Sequence, residues 1–234
     1  MRKAFLKEEV VSQLWNAYKK TSEYKIGLTK TIYEDDPLIR AQEKEGLTAI
    51  YKTFVTNLSS YNNQKEELKK RTAVDWLTEW KQMHKMLYGH IVKDCGSWRQ
   101  TDVRFGHPGD EDLHKIPTKE KVSNEISMLA EHMQNFLLQD TSEMSAYVVL
   151  AQFHYRFIRI HPFQDGNGRI ARAITDQLAV YFGFPPAMGG YPRHELKKRE
   201  SYHKAISACV DDPICNDLAR WIESYIDRQL KTLA

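Results

Sequence analysis

Between His161 and Arg172 the chain reads His-Pro-Phe-Gln-Asp-Gly-Asn-Gly-Arg-Ile-Ala-Arg, which gathers an imidazole, a carboxylate, two glycines and two arginines in one short stretch. Each residue type has a chemical use at that spacing. Gly166 and Gly168 reach backbone angles closed to other residues and let a ligand approach the main chain. Asp165 offers a hard oxygen suited to a magnesium ion shared with phosphates. Arg169 and Arg172, three positions apart, fall on one face of a helical turn, and guanidinium forks match phosphate oxygens. The imidazole of His161 ionises in a range suited to taking a proton from a hydroxyl. Asp-Gly-Asn-Gly is also an ordinary turn sequence, so on spacing alone a polar turn and an anion site both stand. Two arginines at a helix start oppose its dipole unless an anion lies there, which weighs toward the site. No GxxxxGK[ST] stretch occurs, so a P-loop is not the source of any phosphate binding.

The flanking residues must hold this loop between two helices. Upstream, residues 145–160 carry Val148, Val149, Ala151, Phe153, Phe157, Ile158 and Ile160, the pattern of a buried helix. Pro162 disfavours a helical His161, so that helix ends there. Helical spacing resumes with Ile170, Ala171, Ala173, Ile174 and Leu178. Further apolar stripes fall at Trp76, Trp80, Met83 and Leu87, at Val122, Ile126, Leu129, Met133 and Phe136 behind an expected N-cap at Thr118, and at Leu218, Trp221, Ile222, Tyr225 and Ile226. Val10, Val11, Leu14, Trp15 and Tyr18 form a shorter one. Two stretches break the helical rhythm. Residues 94–117 contain an alternating patch, Trp98 to Phe105, that reads as a strand or hairpin, and residues 183–193 read as a loop. One mostly α unit over 71–234, with residues 1–70 as a helical extension, is the expected organisation.

Composition narrows the function classes. The chain of 234 residues is 41% hydrophobic and 28% charged, as globular proteins are, with a net charge of +3 too even to argue for general nucleic-acid binding. Cys95, Cys209 and Cys215 form no CxxC pair, which speaks against a disulfide framework or a cysteine zinc site and fits a reducing, cytoplasmic compartment. The first residues do not have the form of a signal peptide, and no apolar run is long enough for a membrane span.

The string HPFQDGNGRIAR resembles the HxFx(D/E)GNGRxxR motif of the Fic family at every specified position. Tyr155 to Ile160 resembles the helix that leads into the motif, and Cys95 to Arg99 resembles the start of the family's target-docking flap. Tyr202 resembles a residue of the helix that lines the nucleotide base pocket. The resemblance implies a Fic-like helical bundle with a short β-hairpin flap. It also implies transfer of AMP from ATP to a Ser, Thr or Tyr hydroxyl of a protein, with release of pyrophosphate. Under it His161 is the general base, Phe163 a buried anchor, and Asp165 the Mg²⁺ ligand. Gly166, Asn167 and Gly168 form an anion cradle, and Arg169 and Arg172 hold phosphates. Residues 98–105 are the edge on which a protein substrate docks by strand addition, and self-modification or a homo-oligomer is compatible with it. Doc-type relatives phosphorylate their targets and lack the second glycine arrangement and distal arginine pattern found here. A regulatory module that keeps the fold without turnover, or transfer of another phosphate-containing group, is the alternative.

One stretch departs from the family. Its inhibitory helix, (S/T)xxxE(G/N), carries a glutamate that pairs with the second motif arginine. A degenerate counterpart lies near residues 12–27, where Ser22-Glu23-Tyr24-Lys25-Ile26-Gly27 has Ile26 at the glutamate position. An isoleucine cannot pair with Arg172, so restraint of the usual kind is not expected.

Overall fold

The computed structural model describes residues 12–13, 37–56, 61–89, 94–104, 114–139, 145–191 and 195–233. Ile26 and the Val10–Tyr18 stripe lie outside the described residues, as does Phe105 at the end of the expected hairpin. The described helices are α1 (Pro37–Thr56), α2 (Tyr61–Lys70), α3 (Ala73–Tyr88), α4 (Lys119–Leu138), α5 (Ala146–Ile160), α6 (Asn167–Tyr181), α7 (Leu196–Ala208) and α8 (Asn216–Leu233), with a 3-10 turn at Met188–Gly190.

Helix α5 is the hub, packed on α4, α6 and α8. Its sequence leaves no broad polar face, and Leu150, Ala151, Phe157, Ile158 and Ile160 are buried. The α3 stripe of Trp76, Trp80, Met83 and Leu87 is buried, as are all five expected positions of α4. Trp80 meets the edge of Phe157 with ring centroids 5.5 Å apart, which ties α3 to the hub. Helix α3 begins with a reciprocal cap: the Thr72 hydroxyl accepts from the Asp75 N–H, and the Thr72 N–H donates to the Asp75 carboxylate. Thr118 caps α4 by backbone geometry, without a side-chain hydrogen bond to the helix N–H groups. On α8, Leu218, Ile222, Tyr225 and Ile226 are buried while Trp221 stays partly exposed.

Helix α1 packs on α3 and α6. The contact is close at Gly46, where a Cβ would lie 2.2 Å from the Met86 carbonyl oxygen. Helix α6 is buried along its length, and each of its polar side chains therefore needs a partner. Asp176 accepts from the N–H groups of Ala187, Met188 and Gly189 and from the Tyr51 hydroxyl. That one carboxylate fixes the 3-10 turn against α6 and anchors α1 to the same point.

The hairpin expected at 98–105 does not appear: no strand occurs among the described residues. Arg99 and Thr101 bond the motif loop instead. The Arg99 N–H donates to the Pro162 carbonyl at 2.8 Å and the Thr101 hydroxyl donates to Gln164. Asp102 accepts from the N–H of Lys119. Of these bonds only that of Arg99 uses a backbone N–H; Thr101 and Asp102 act through their side chains.

A directed chain of hydrogen bonds crosses the core beneath the loop. The Thr175 hydroxyl donates to the Ala171 carbonyl, so His154 Nδ1 must donate to Thr175 at 2.8 Å. His154 Nε2 is left to accept from the Tyr202 hydroxyl at 2.6 Å. Only neutral imidazole completes this chain, and burial, reinforced by the Arg172 charge, pushes the His154 pKa down to about 3. Unfolded chain takes up that proton below its ordinary 6.5, so stability is full above pH 6.5 and declines as pH falls toward 3. The slope is about 1.4 kcal/mol per pH unit. Melting temperature should therefore fall steadily between pH 6.5 and 5, and less steeply in His154→Gln. A flat profile in the parent protein would contradict this account.

Candidate active site

The expected end of α5 at His161 is present, and its form explains the loop. His161 adopts a left-handed conformation (φ 49°, ψ 58°) that reverses the chain. A non-glycine residue there is strained and persists only where its surroundings over-determine it. Asn167 closes the loop: its amide donates to the Phe163 carbonyl and accepts from the Phe163 N–H, both at 2.8 Å. Phe163 is fully buried, stacked on His84 at 4.1 Å and touching Trp98 and Phe157. His84 Nδ1 accepts from the Gly96 N–H, so its Nε2 donates to the Asp165 carbonyl at 3.2 Å. That neutral form agrees with the burial that pushes the His84 pKa down to about 4.

Gly166 lies at φ 80°, where a Cβ would also meet Leu87 and Tyr88 at 3.0 Å. It is the N-cap of α6, and the first helical hydrogen bonds run to its carbonyl from the N–H groups of Arg169 and Ile170. The N–H groups of Asn167 and Gly168 precede that first bond and carry the positive end of the helix dipole.

The two arginines have different surroundings. Arg169 is buried and contacts the buried carboxylate of Glu43 on α1. It also donates to both Asp165 oxygens at 3.2 Å and to the Tyr88 hydroxyl at 2.7 Å. Arg172 is equally buried, yet no carboxylate among the described residues pairs with it. Its guanidinium rests on the rings of Tyr191, 4.9 Å away, and Tyr202, 5.9 Å away. The arginines thus share a helix turn, as their spacing implies, but not a role.

These groups line one cleft of about 210 Å³, open to solvent, between the α6 start and α7. His161, Asp165, Gly166, Asn167, Gly168, Arg169, Arg172 and Tyr202 all border it. Arg104, Tyr191, Arg199, His203 and Ile206 also border it, and none of these five stands out in the sequence as a site residue. Among the described residues Asp165 is the only carboxylate on its wall. His161 Nδ1 lies 3.2 Å from the Ile158 carbonyl and so carries the proton, which leaves Nε2 with a lone pair. Burial first, then the Arg99 charge, pushes the His161 pKa down to about 4, so the ring is neutral at pH 7.

Asp165 fits a magnesium ion bound jointly with phosphates. Its carboxylate remains partly exposed at the cleft, and no cluster of three or more acidic, His or Cys side chains occurs among the described residues. Such a lone carboxylate suits an ion that keeps its waters and takes further oxygens from a substrate.

Residues 75–179 match the model of the Fic/DOC family. The chain is 26% identical over 170 residues to "Protein adenylyltransferase Fic" of Drosophila grimshawi, covering 65% of this chain and 32% of that one. It is 30% identical over 154 residues to the protein of that name from Culex quinquefasciatus, covering 64% and 27%. The chain thus spans about a third of the length of these curated relatives. Among solved structures, a Fic domain containing signaling protein from Bacteroides thetaiotaomicron superposes with a TM-score of 0.65 at 17% identity, covering 85% of this chain and 73% of that one. Fic-1 from C. elegans gives 0.60 at 21%, covering 87% and 55%. Both have the same fold.

The two glycines are separable by experiment. Gly166→Ala should cost roughly 1–3 kcal/mol from its positive φ alone. Gly168 is helical and its added methyl would lie 3.4 Å from Arg172, so Gly168→Ala should fold at least as well. By narrowing the anion seat it should weaken binding of a nucleoside triphosphate on the order of tenfold, about 1.4 kcal/mol. Thermal melts and titration calorimetry check both; equal effects of the two substitutions would contradict the assignment.

Proposed function

Residues 75–179 form a Fic/DOC family domain, and from that premise we propose that the chain transfers AMP from ATP to a hydroxyl side chain of a protein. The observation that supports this reading best is Arg172, a buried cation with aromatic partners and no carboxylate partner among the described residues, beside the unbonded first turn of α6. A polyphosphate supplies the missing negative charge. Backbone N–H groups of Asn167 and Gly168 would receive phosphate oxygens, since the Asn167 side chain is already committed to Phe163. Asp165 would hold magnesium, which neutralises charge on the phosphates. Arg169, bound by Glu43 and Asp165, would act chiefly by orienting that carboxylate.

In the transfer, His161 Nε2 takes the proton of the target hydroxyl. The hydroxyl oxygen forms a bond to the α-phosphorus as the bond to the bridging oxygen breaks, and pyrophosphate leaves. The neutral imidazole is ready for this step over most of the pH range. Tyr202, fixed by His154, would offer its ring face beside the base, with Ile206 beneath. The protein substrate would dock along residues 98–105, and self-modification is one form of the reaction.

Incubation with ATP labelled in the α-phosphate and Mg²⁺ tests the reading. Label should enter protein with the parent chain and fall about 10²–10⁴-fold with His161→Ala. The acid limb of the rate should lie near pH 4, following the lowered His161 pKa. Binding of ATP without label transfer in either protein would instead favour a regulatory module. Label from the γ-phosphate alone would favour phosphoryl transfer.

A further inference from the structure

Arg99 is almost fully buried, and its short hydrogen bonds run to carbonyl oxygens. Its Nε donates to the His161 carbonyl at 2.8 Å. One terminal nitrogen donates to the Thr101 carbonyl at 2.9 Å and the other to the Pro117 carbonyl. The nearest acid, Asp102, lies 3.6 Å away with its side chain largely exposed. The Arg99 N–H meanwhile holds the Pro162 carbonyl. Arg99 therefore grips two successive carbonyls of the turn, one through its side chain and one through its backbone.

The His161 peptide is the strained one in this loop, at φ 49° before a proline. Its ring orientation depends on that conformation, because Nδ1 reaches the Ile158 carbonyl only when the chain turns back over the end of α5. We propose that Arg99 is a positioning residue for the base: its side-chain bond to the His161 carbonyl fixes the imidazole with the proton on Nδ1 and the lone pair on Nε2 facing the cleft. The planar fork is what permits three carbonyls to be held at once, since a lysine has the charge without the spacing. Replacing the side chain leaves the backbone bond to Pro162 intact, so the loop loses orientation at His161 without losing its course. The Asn167 closure, the α6 start and Arg172 are not touched by Arg99, so nucleotide binding has no reason to change.

The kinetic consequence rests on the transferase reading; the tautomeric one does not. In Arg99→Lys, checked for folding by circular dichroism, the ATP dissociation constant should stay within about twofold of the parent, while kcat for label transfer drops ~10–100-fold. Nitrogen-15 NMR of the imidazoles should find His161 as the Nδ1–H tautomer alone in the parent and as a mixture in Arg99→Lys. Loss of ATP binding in step with kcat would mean a structural role and overturn the proposal, as would unchanged kcat and an unchanged tautomer. If the parent transfers no label, the transferase reading fails and the tautomer comparison decides Arg99 by itself. If Arg99→Lys and Arg99→Gln both fail to fold, the parent spectrum decides, and a mixed tautomer there overturns the proposal.

Discussion

A guanidinium taken out of water loses several kcal/mol of solvation even after relaxation. Stacking on aromatic faces returns about 0.5–2 kcal/mol. Arg172, with the rings of Tyr191 and Tyr202 as its partners, is therefore held in place but not compensated by any carboxylate among the described residues. Nearby groups increase the demand for an anion: the α6 dipole and the N–H groups of Asn167 and Gly168 have the same sign. Much of the surrounding structure can be understood as support for this charge, which no described carboxylate neutralises. Asp176 fixes the 3-10 turn that precedes Tyr191, and His154 fixes Tyr202 by its hydroxyl. Trp221 packs against both tyrosines from α8.

The loop beside it is rigid for a related reason. Its strained residue, His161, is also the one whose orientation matters for proton transfer, and four separate elements restrain the turn. Arg99 holds the carbonyls at 161 and 162, and His84 that of Asp165. Phe163 is fixed through both its backbone and its ring, and Glu43 reaches across from α1 to Arg169. Helix α1 lies outside the residues that match the family model, yet it supplies the counter-charge for one motif arginine and, through Tyr51, a bond to Asp176. The cleft as it stands depends on both regions of the chain.

The helices were legible because their apolar periodicity is a local property: Trp76, Trp80, Met83 and Leu87 share a face in any helix. The motif loop was legible too, since proline after His161 and the following turn formers fix where one helix stops and the next starts. What the sequence could not convey were pairings between distant positions. Nothing about Glu43 distinguishes it from the neighbouring acids and lysines of α1, and Tyr191 sits in a stretch that reads only as loop. Asn167 read as part of an anion cradle; that its side chain also closes the turn, through bonds made four residues away, was not legible. The Trp98–Phe105 alternation read as a hairpin because period-two spacing is the same whether a strand or a loop receives the hydrogen bonds. His84 carried one signal, its place four residues after Trp80 and four before Tyr88 on the apolar face of its helix, where a polar ring requires a partner.

The charge on Arg172 offers the most direct measurement. Arg172→Met keeps much of the side chain's length and removes a buried charge that lacks a carboxylate partner among the described residues. Calorimetric titration with ATP and Mg²⁺, together with thermal melts of the nucleotide-free proteins, should find the variant unable to bind ATP yet as stable as the parent or more so. A variant that binds ATP as the parent does, or one that is strongly destabilised without nucleotide, would contradict the account.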